Sequence, residues 1–120
     1  MNSINNNILK TDLSSDGIFR LTLNNPLSQN TLSEEMMKNI QEGLDSSVNN
    51  KQVRVIIISS EGSIFSAGHD LKQLKKGRQD PDGGKSYFKK VLDQCSKMMK
   101  SIINNPKPVI AEVGGVATAA

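Results

Sequence analysis

The chain has 120 residues, 36% of them apolar and 3% aromatic, with no Trp and a formal net charge of +3. That length allows one domain with a modest core, and so small a charge does not imply nucleic acid unless it is clustered. The single cysteine, Cys95, excludes an intrachain disulfide, and no Cys/His spacing suggests zinc; no apolar run is long enough to span a bilayer.

In chain order, Met1 to Asn7 is polar and Asn-rich, the composition of a frayed end. It lacks both the apolar core of a secretory signal and the Arg-rich face of a transit peptide. Ile8 to Leu13 and Ile18 to Leu23 flank Ser14-Ser15-Asp16-Gly17. Alternation of Ile18, Arg20 and Thr22 against Phe19, Leu21 and Leu23, with Asp-Gly between the runs, predicts an antiparallel hairpin. Asn24 to Gln29 is a loop held partly by Pro26. A helix follows, capped by Thr31 or Ser33 with Glu34 and Glu35 in its first turn; Thr31 and Glu34 also have capping-box spacing. Met36, Ile40, Leu44 and Val48 would form its buried stripe as far as about Asn50.

Val53 to Ile58 is a β-branched run suited to a central strand covered on both faces. Leu71 to Lys76 reads as a short helix ended by Gly77, and Arg78 to Gly84 as an exposed loop. Lys85 to Asn104 carries the clearest helical stripe: Phe88, Val91, Leu92, Cys95, Met98, Met99 and Ile102. Cys95 is therefore a buried helix residue, and its free thiol fits a reducing compartment. Pro106 and Pro108 stop that helix, and Val109 to Val113 resumes as a strand. The pattern is α/β, built of ββα-type units with parallel pairing between helices.

Two strand-to-turn stretches carry the chemistry. In Ser63-Ile64-Phe65-Ser66-Ala67-Gly68-His69-Asp70-Leu71, small residues let the backbone approach a ligand closely. Asp70 caps the next helix, which leaves amides around His69 available to an anion or a polarised carbonyl oxygen. Asn105 to Ala120 repeats the device, running from a strand into the small residues Gly114-Gly115-Val116-Ala117-Thr118-Ala119-Ala120.

This pair, together with the early loop Asn25-Pro26 through Asn30-Thr31-Leu32-Ser33, resembles the paired oxyanion hole of the crotonase, or enoyl-CoA hydratase/isomerase, superfamily. The resemblance covers nearly the whole chain and implies a crotonase-like ββα spiral. Residues 1–120 would be the N-terminal part of a single such domain, about half of it, ending before the catalytic glutamate positions. By the same resemblance the first oxyanion donor is the His69 N–H and the second the Ala120 N–H, where the family has a glycine triplet and this chain has Thr118-Ala119-Ala120. Ser28 and Gln29 would lie against the CoA adenine end, and Ala67, Gly68, His69, Asp70, Leu71 and Lys72 along the substrate.

The implied activity is enoyl-CoA hydratase-like chemistry of fatty-acid metabolism on an acyl-CoA thioester, with no cofactor beyond coenzyme A as part of the substrate and no metal. Homotrimers stacked into hexamers are implied for the full-length protein, and mitochondria by resemblance, with the cytoplasm as the alternative. In the branch this chain most resembles, the first glutamate position is often another residue. A non-catalytic acyl-CoA-binding or assembly protein therefore stands beside the enzyme, and the 120 residues alone are expected to be inactive.

Other groups read more plainly. Ser66, His69 and Asp70 lie too close in sequence for triad geometry. Glu112 precedes the turn and matches neither family glutamate. Lysines and Arg78 between residues 72 and 100 outnumber the acidic residues there, a common solubility pattern for helix surfaces; without interleaved aromatics they do not read as a nucleic-acid face.

Overall fold

The Asp16-Gly17 signal turns the chain back on itself. β1 (Leu9–Leu13) and β2 (Ile18–Leu23) are antiparallel, Leu9 opposite Leu23 and Leu13 opposite Phe19. The computed structural model describes residues 8–119, so the expectation of a frayed Met1–Asn7 lies outside them. The loop after β2 holds a short 3₁₀ turn at Pro26–Ser28, where proline's fixed φ suits the first helical position.

α1 (Glu34–Val48) begins at Ser33, whose Oγ accepts the Met36 N–H at 3.1 Å. The Thr31–Glu34 capping box does not form, because the chain is still extended at Leu32, which bridges to His69. The stripe is Met36, Met37, Ile40, Gly43, Leu44 and Ser47, and Val48 is 37% exposed. A strict four-residue repeat rotates about 40° per step around an α-helix, so its fourth member has left the buried face.

β3 (Val55–Ser60) lies parallel to β2, Ile18 opposite Val55, and β5 (Val109–Ala111) lies parallel on its other side. The sheet order is β1-β2-β3-β5. The strand starts two residues later than the apolar run suggested, because the Val53 and Arg54 amides are spent on Asn50 and Gly17 carbonyls in a turn. Its two faces are covered unequally, although Ser59 on the less covered face is itself buried. Ile56 is fully buried, whereas Val55 and Ile57, pointing the other way, are half-buried. β5 is shorter than Val109–Val113, and the chain re-forms as β6 (Val116–Ala117), paired in parallel with β4 (Ile64–Ser66) in a second small sheet.

α2 (Leu71–Gly77) and α3 (Lys85–Ile103) follow β4. Asp82 holds the start of α3, accepting the Gly84 and Ser86 N–H groups at 3.0 Å each. Val91, Cys95 and Met98 are the buried residues of α3; Leu92, assigned to that stripe from spacing, is 58% exposed. α1 and α3 pack together over the sheet, so that Leu21, Leu23 and Ile56 meet Met36, Ile40, Leu44 and Met98 in one core. Burial of this apolar surface is the main favourable term in folding. The Lys107 ammonium closes the far end of α1, donating to the Ser47, Asn50 and Val53 carbonyls at 2.9, 2.6 and 2.8 Å.

Candidate functional site

Three segments meet at one corner: the loop after β2, the β4–α2 turn and the β6 turn. Asn30 ties them. It is fully buried at φ 51°, a left-handed conformation that asparagine tolerates better than most residues. Its Oδ1 accepts the Asn25 N–H at 2.6 Å, and its Nδ2 donates to the Glu61 and Ile64 carbonyls at 3.0 and 2.9 Å. Its own carbonyl accepts the Ser66 hydroxyl at 2.8 Å, and that hydroxyl oxygen accepts the Gly68 N–H at 3.1 Å. The Gly68 carbonyl in turn accepts the Leu32 N–H at 2.7 Å, and the Ala67 N–H donates to the Gln29 carbonyl at 3.1 Å. The peptide on either side of Gly68 is thus held by buried polar bonds rather than by apolar packing.

The third segment closes on the second directly. The Thr118 N–H donates to the Ser66 carbonyl at 3.0 Å, and β4 pairs with β6 in parallel across a register shift between Ile64 and Ser66. Gly68 has φ +87°, and a Cβ there would sit 1.9 Å from the Ala119 carbonyl oxygen. Only glycine permits both that conformation and that approach.

The turn opens immediately into α2. The Asp70 carboxylate accepts the Lys72 and Gln73 N–H groups at 3.0 and 3.3 Å, which makes it the helix cap. Gln73 anchors the helix by accepting the Glu34 N–H at 3.2 Å. Between these fixed points, the His69 N–H donates to no acceptor among the described residues. The His69 Nδ1 is shut off from solvent and also lacks a partner among the described residues.

A cleft of about 350 Å³ lies over this corner, lined by Ser28, Gln29, Ala67, His69, Asp70, Leu71 and Lys72, with Leu27 and Thr31. Seven of the residues singled out from sequence are therefore brought together; Gly68 is buried beneath the cleft. Ala120, the expected second donor, lies outside the described residues. Leu27 and Leu71 stand 99% and 75% exposed, leaving apolar surface at the rim. A second cavity of about 350 Å³ is chiefly apolar, lined by Phe65, Met98, Met99 and Ile102 among others, together with Ser66 and Ala119.

Asp70 is the only carboxylate lining the cleft among the described residues, and Glu112 pairs with Arg20 at 3.0 Å on the sheet. No group of three or more His, Cys, Asp or Glu side chains among the described residues could hold a metal ion, and no described helix is long and apolar enough to cross a membrane. Burial raises the Cys95 thiol pKa, as expected for a core cysteine rather than a nucleophile. Sequence reasoning placed Asn30 and Ser66 in the right loops but missed their work as the tie between segments. The available signal was an asparagine next to a turn, where left-handed backbone favours it.

Known proteins share this fold. The family model described as enoyl-CoA hydratase/isomerase matches residues 14–120. Human enoyl-CoA hydratase domain-containing protein 3, named as mitochondrial, is 44% identical over 105 residues; the match takes in 88% of this chain and 33% of the human protein. The crystal structure of that human protein superposes with a TM-score of 0.79 at 40% identity, covering 90% of this chain and 40% of that one. An enoyl-CoA hydratase structure from Mycobacterium smegmatis gives a TM-score of 0.80 at 35% identity, covering 88% and 39%. The chain spans about a third of the length of the curated relatives it matches.

Proposed function

The chain belongs to the enoyl-CoA hydratase/isomerase, or crotonase, family, and from that premise we propose that it supplies the thioester-binding corner of an acyl-CoA protein of fatty-acid metabolism. One observation carries the reading: an unpartnered His69 N–H sits over a buried polar tie, at a cleft whose walls are the segments singled out for substrate contact. A thioester oxygen placed at that N–H gains a donor that needs no reorganisation when negative charge develops on it. Loss of one such donor costs about 3 kcal/mol of barrier. The turn ending in Ala120 supplies the second donor, and its contact with Gly68 favours a shared acceptor.

With the carbonyl polarised, electron density leaves the α,β double bond of an enoyl thioester and its β-carbon becomes open to water. Ser28, Gln29 and Lys72 would hold the CoA arm, with coenzyme A entering as part of the substrate and no separate cofactor. The intact protein is proposed to form homotrimers or hexamers and to reside in mitochondria, the compartment in the names of its relatives.

A second reading has its own support. The single cleft carboxylate, Asp70, is spent on capping α2, so these residues bind and polarise a thioester without supplying a general base. Calorimetric titration of the intact protein with crotonyl-CoA, paired with a hydration assay, separates the two. Uptake with turnover supports the hydratase. Uptake without turnover supports a non-catalytic acyl-CoA-binding protein, and absence of uptake overturns both.

A further inference from the structure

We propose that the His69 side chain is a ligand-positioning donor, whose imidazole carries its proton on Nε2 and offers it to an oxygen acceptor on the CoA arm in the cleft. The inference rests on the acyl-CoA reading above for its ligand, and on the ring's own surroundings for its state. His69 lines the cleft, yet its Nδ1 is enclosed with no hydrogen-bond partner. Nε2 is not enclosed in that way and has no partner among the described residues, so of the two it is the nitrogen accessible to a ligand at the cleft that His69 lines. A neutral imidazole must place one N–H and one lone pair on these two sites. An orphaned buried N–H is the rarer and costlier arrangement, whereas an under-used acceptor is tolerated more often. The enclosed Nδ1 therefore keeps the lone pair, and Nε2 presents the hydrogen.

The neighbours select what it meets. Ser28, Gln29 and Lys72 share the cleft, a polar and cationic lining suited to an amide- and phosphate-bearing arm. Asp70, the nearest carboxylate in sequence, is held by the start of α2 and does not compete for the hydrogen.

His69 is the only histidine of these 120 residues, and in the intact protein its ring signals are assigned by their disappearance in His69→Gln. Long-range proton–nitrogen spectra of the intact protein, recorded without ligand at about pH 8, above the ordinary histidine range, are expected to show a protonated Nε2 and a bare Nδ1. A protonated Nδ1 overturns the proposal. With free coenzyme A as the probe, His69→Leu is expected to weaken binding about tenfold, the effect of one lost hydrogen bond. His69→Gln, which keeps an N–H at similar reach, restores most of it. Equal affinity in wild type and His69→Leu overturns the contact. A loss confined to crotonyl-CoA overturns the assignment to the CoA arm. If the wild type takes up no CoA compound, the ligand assignment falls together with the acyl-CoA reading, while the spectrum still decides the state of the ring.

Discussion

The helical side of the molecule and the corner under His69 are held together by different forces. α1, α3 and the four-stranded sheet cohere through apolar side chains such as Met36, Ile40 and Ile56, whose contacts are numerous and individually weak. The corner coheres through a few directional bonds around Asn30, Ser66 and Gly68. The first kind of region deforms under substitution and keeps its shape approximately. The second either keeps its shape or loses it, because each missing bond leaves a buried partner unsatisfied.

Gly68→Ala is expected to give the largest effect. The new methyl meets the Ala119 carbonyl and the backbone is held at φ +87°, so a loss of at least about 4 kcal/mol is expected, with loss of thioester binding. Gly83→Ala is its control: φ is +71° but the surrounding space is open, so only the conformational cost of about 1 kcal/mol remains. Urea unfolding of both variants measures the difference. Equal losses would mean that the contact between the two turns contributes nothing.

Next comes Asn30→Ala set beside Met36→Ala, each expected to cost about 3 kcal/mol, one through unsatisfied backbone groups and the other through a cavity. The two should part in calorimetry. At a temperature where both remain folded, Asn30→Ala loses crotonyl-CoA affinity and Met36→Ala keeps it. Matching affinities would erase the distinction between the two regions.

The smallest effect concerns Asp82, away from both. Hydrogen bonds from Ser86, then from the Gly84 amide, hold its carboxyl below the ordinary aspartate range. A pKa lowered on folding contributes stability above the unfolded value, and that contribution is lost as pH falls through the folded one. Asp82→Asn should therefore have a slightly lower urea midpoint than wild type at neutral pH, and the gap should shrink as pH falls below the ordinary aspartate range. A gap constant with pH would show that the charge contributes nothing.

Legibility followed the same division. Alternation and the Asp-Gly pair placed β1 and β2 without help from the rest of the chain. The α3 stripe was readable except at Leu92, because spacing places a residue on a face but not against a neighbour. The site segments could be named from their small residues and their family resemblance, and Asp70 emerged as the cap its position suggested. Asn30 was passed over because a buried asparagine in a loop has no periodicity, and its three side-chain bonds reach residues 25, 61 and 64.

Local order was the sequence's own to determine: the hairpin, the helices, their caps and the parallel strands between them follow from side-chain spacing and backbone preference within a few residues. Tertiary structure alone decided that the two faces of β3 are covered unequally, that Val48 and Leu92 stay out of the core, and that turns about 50 residues apart in the chain close on each other across Gly68. Those outcomes depend on which partner stands opposite, and hydrogen bonds between distant loops leave no local pattern by which they could be foreseen.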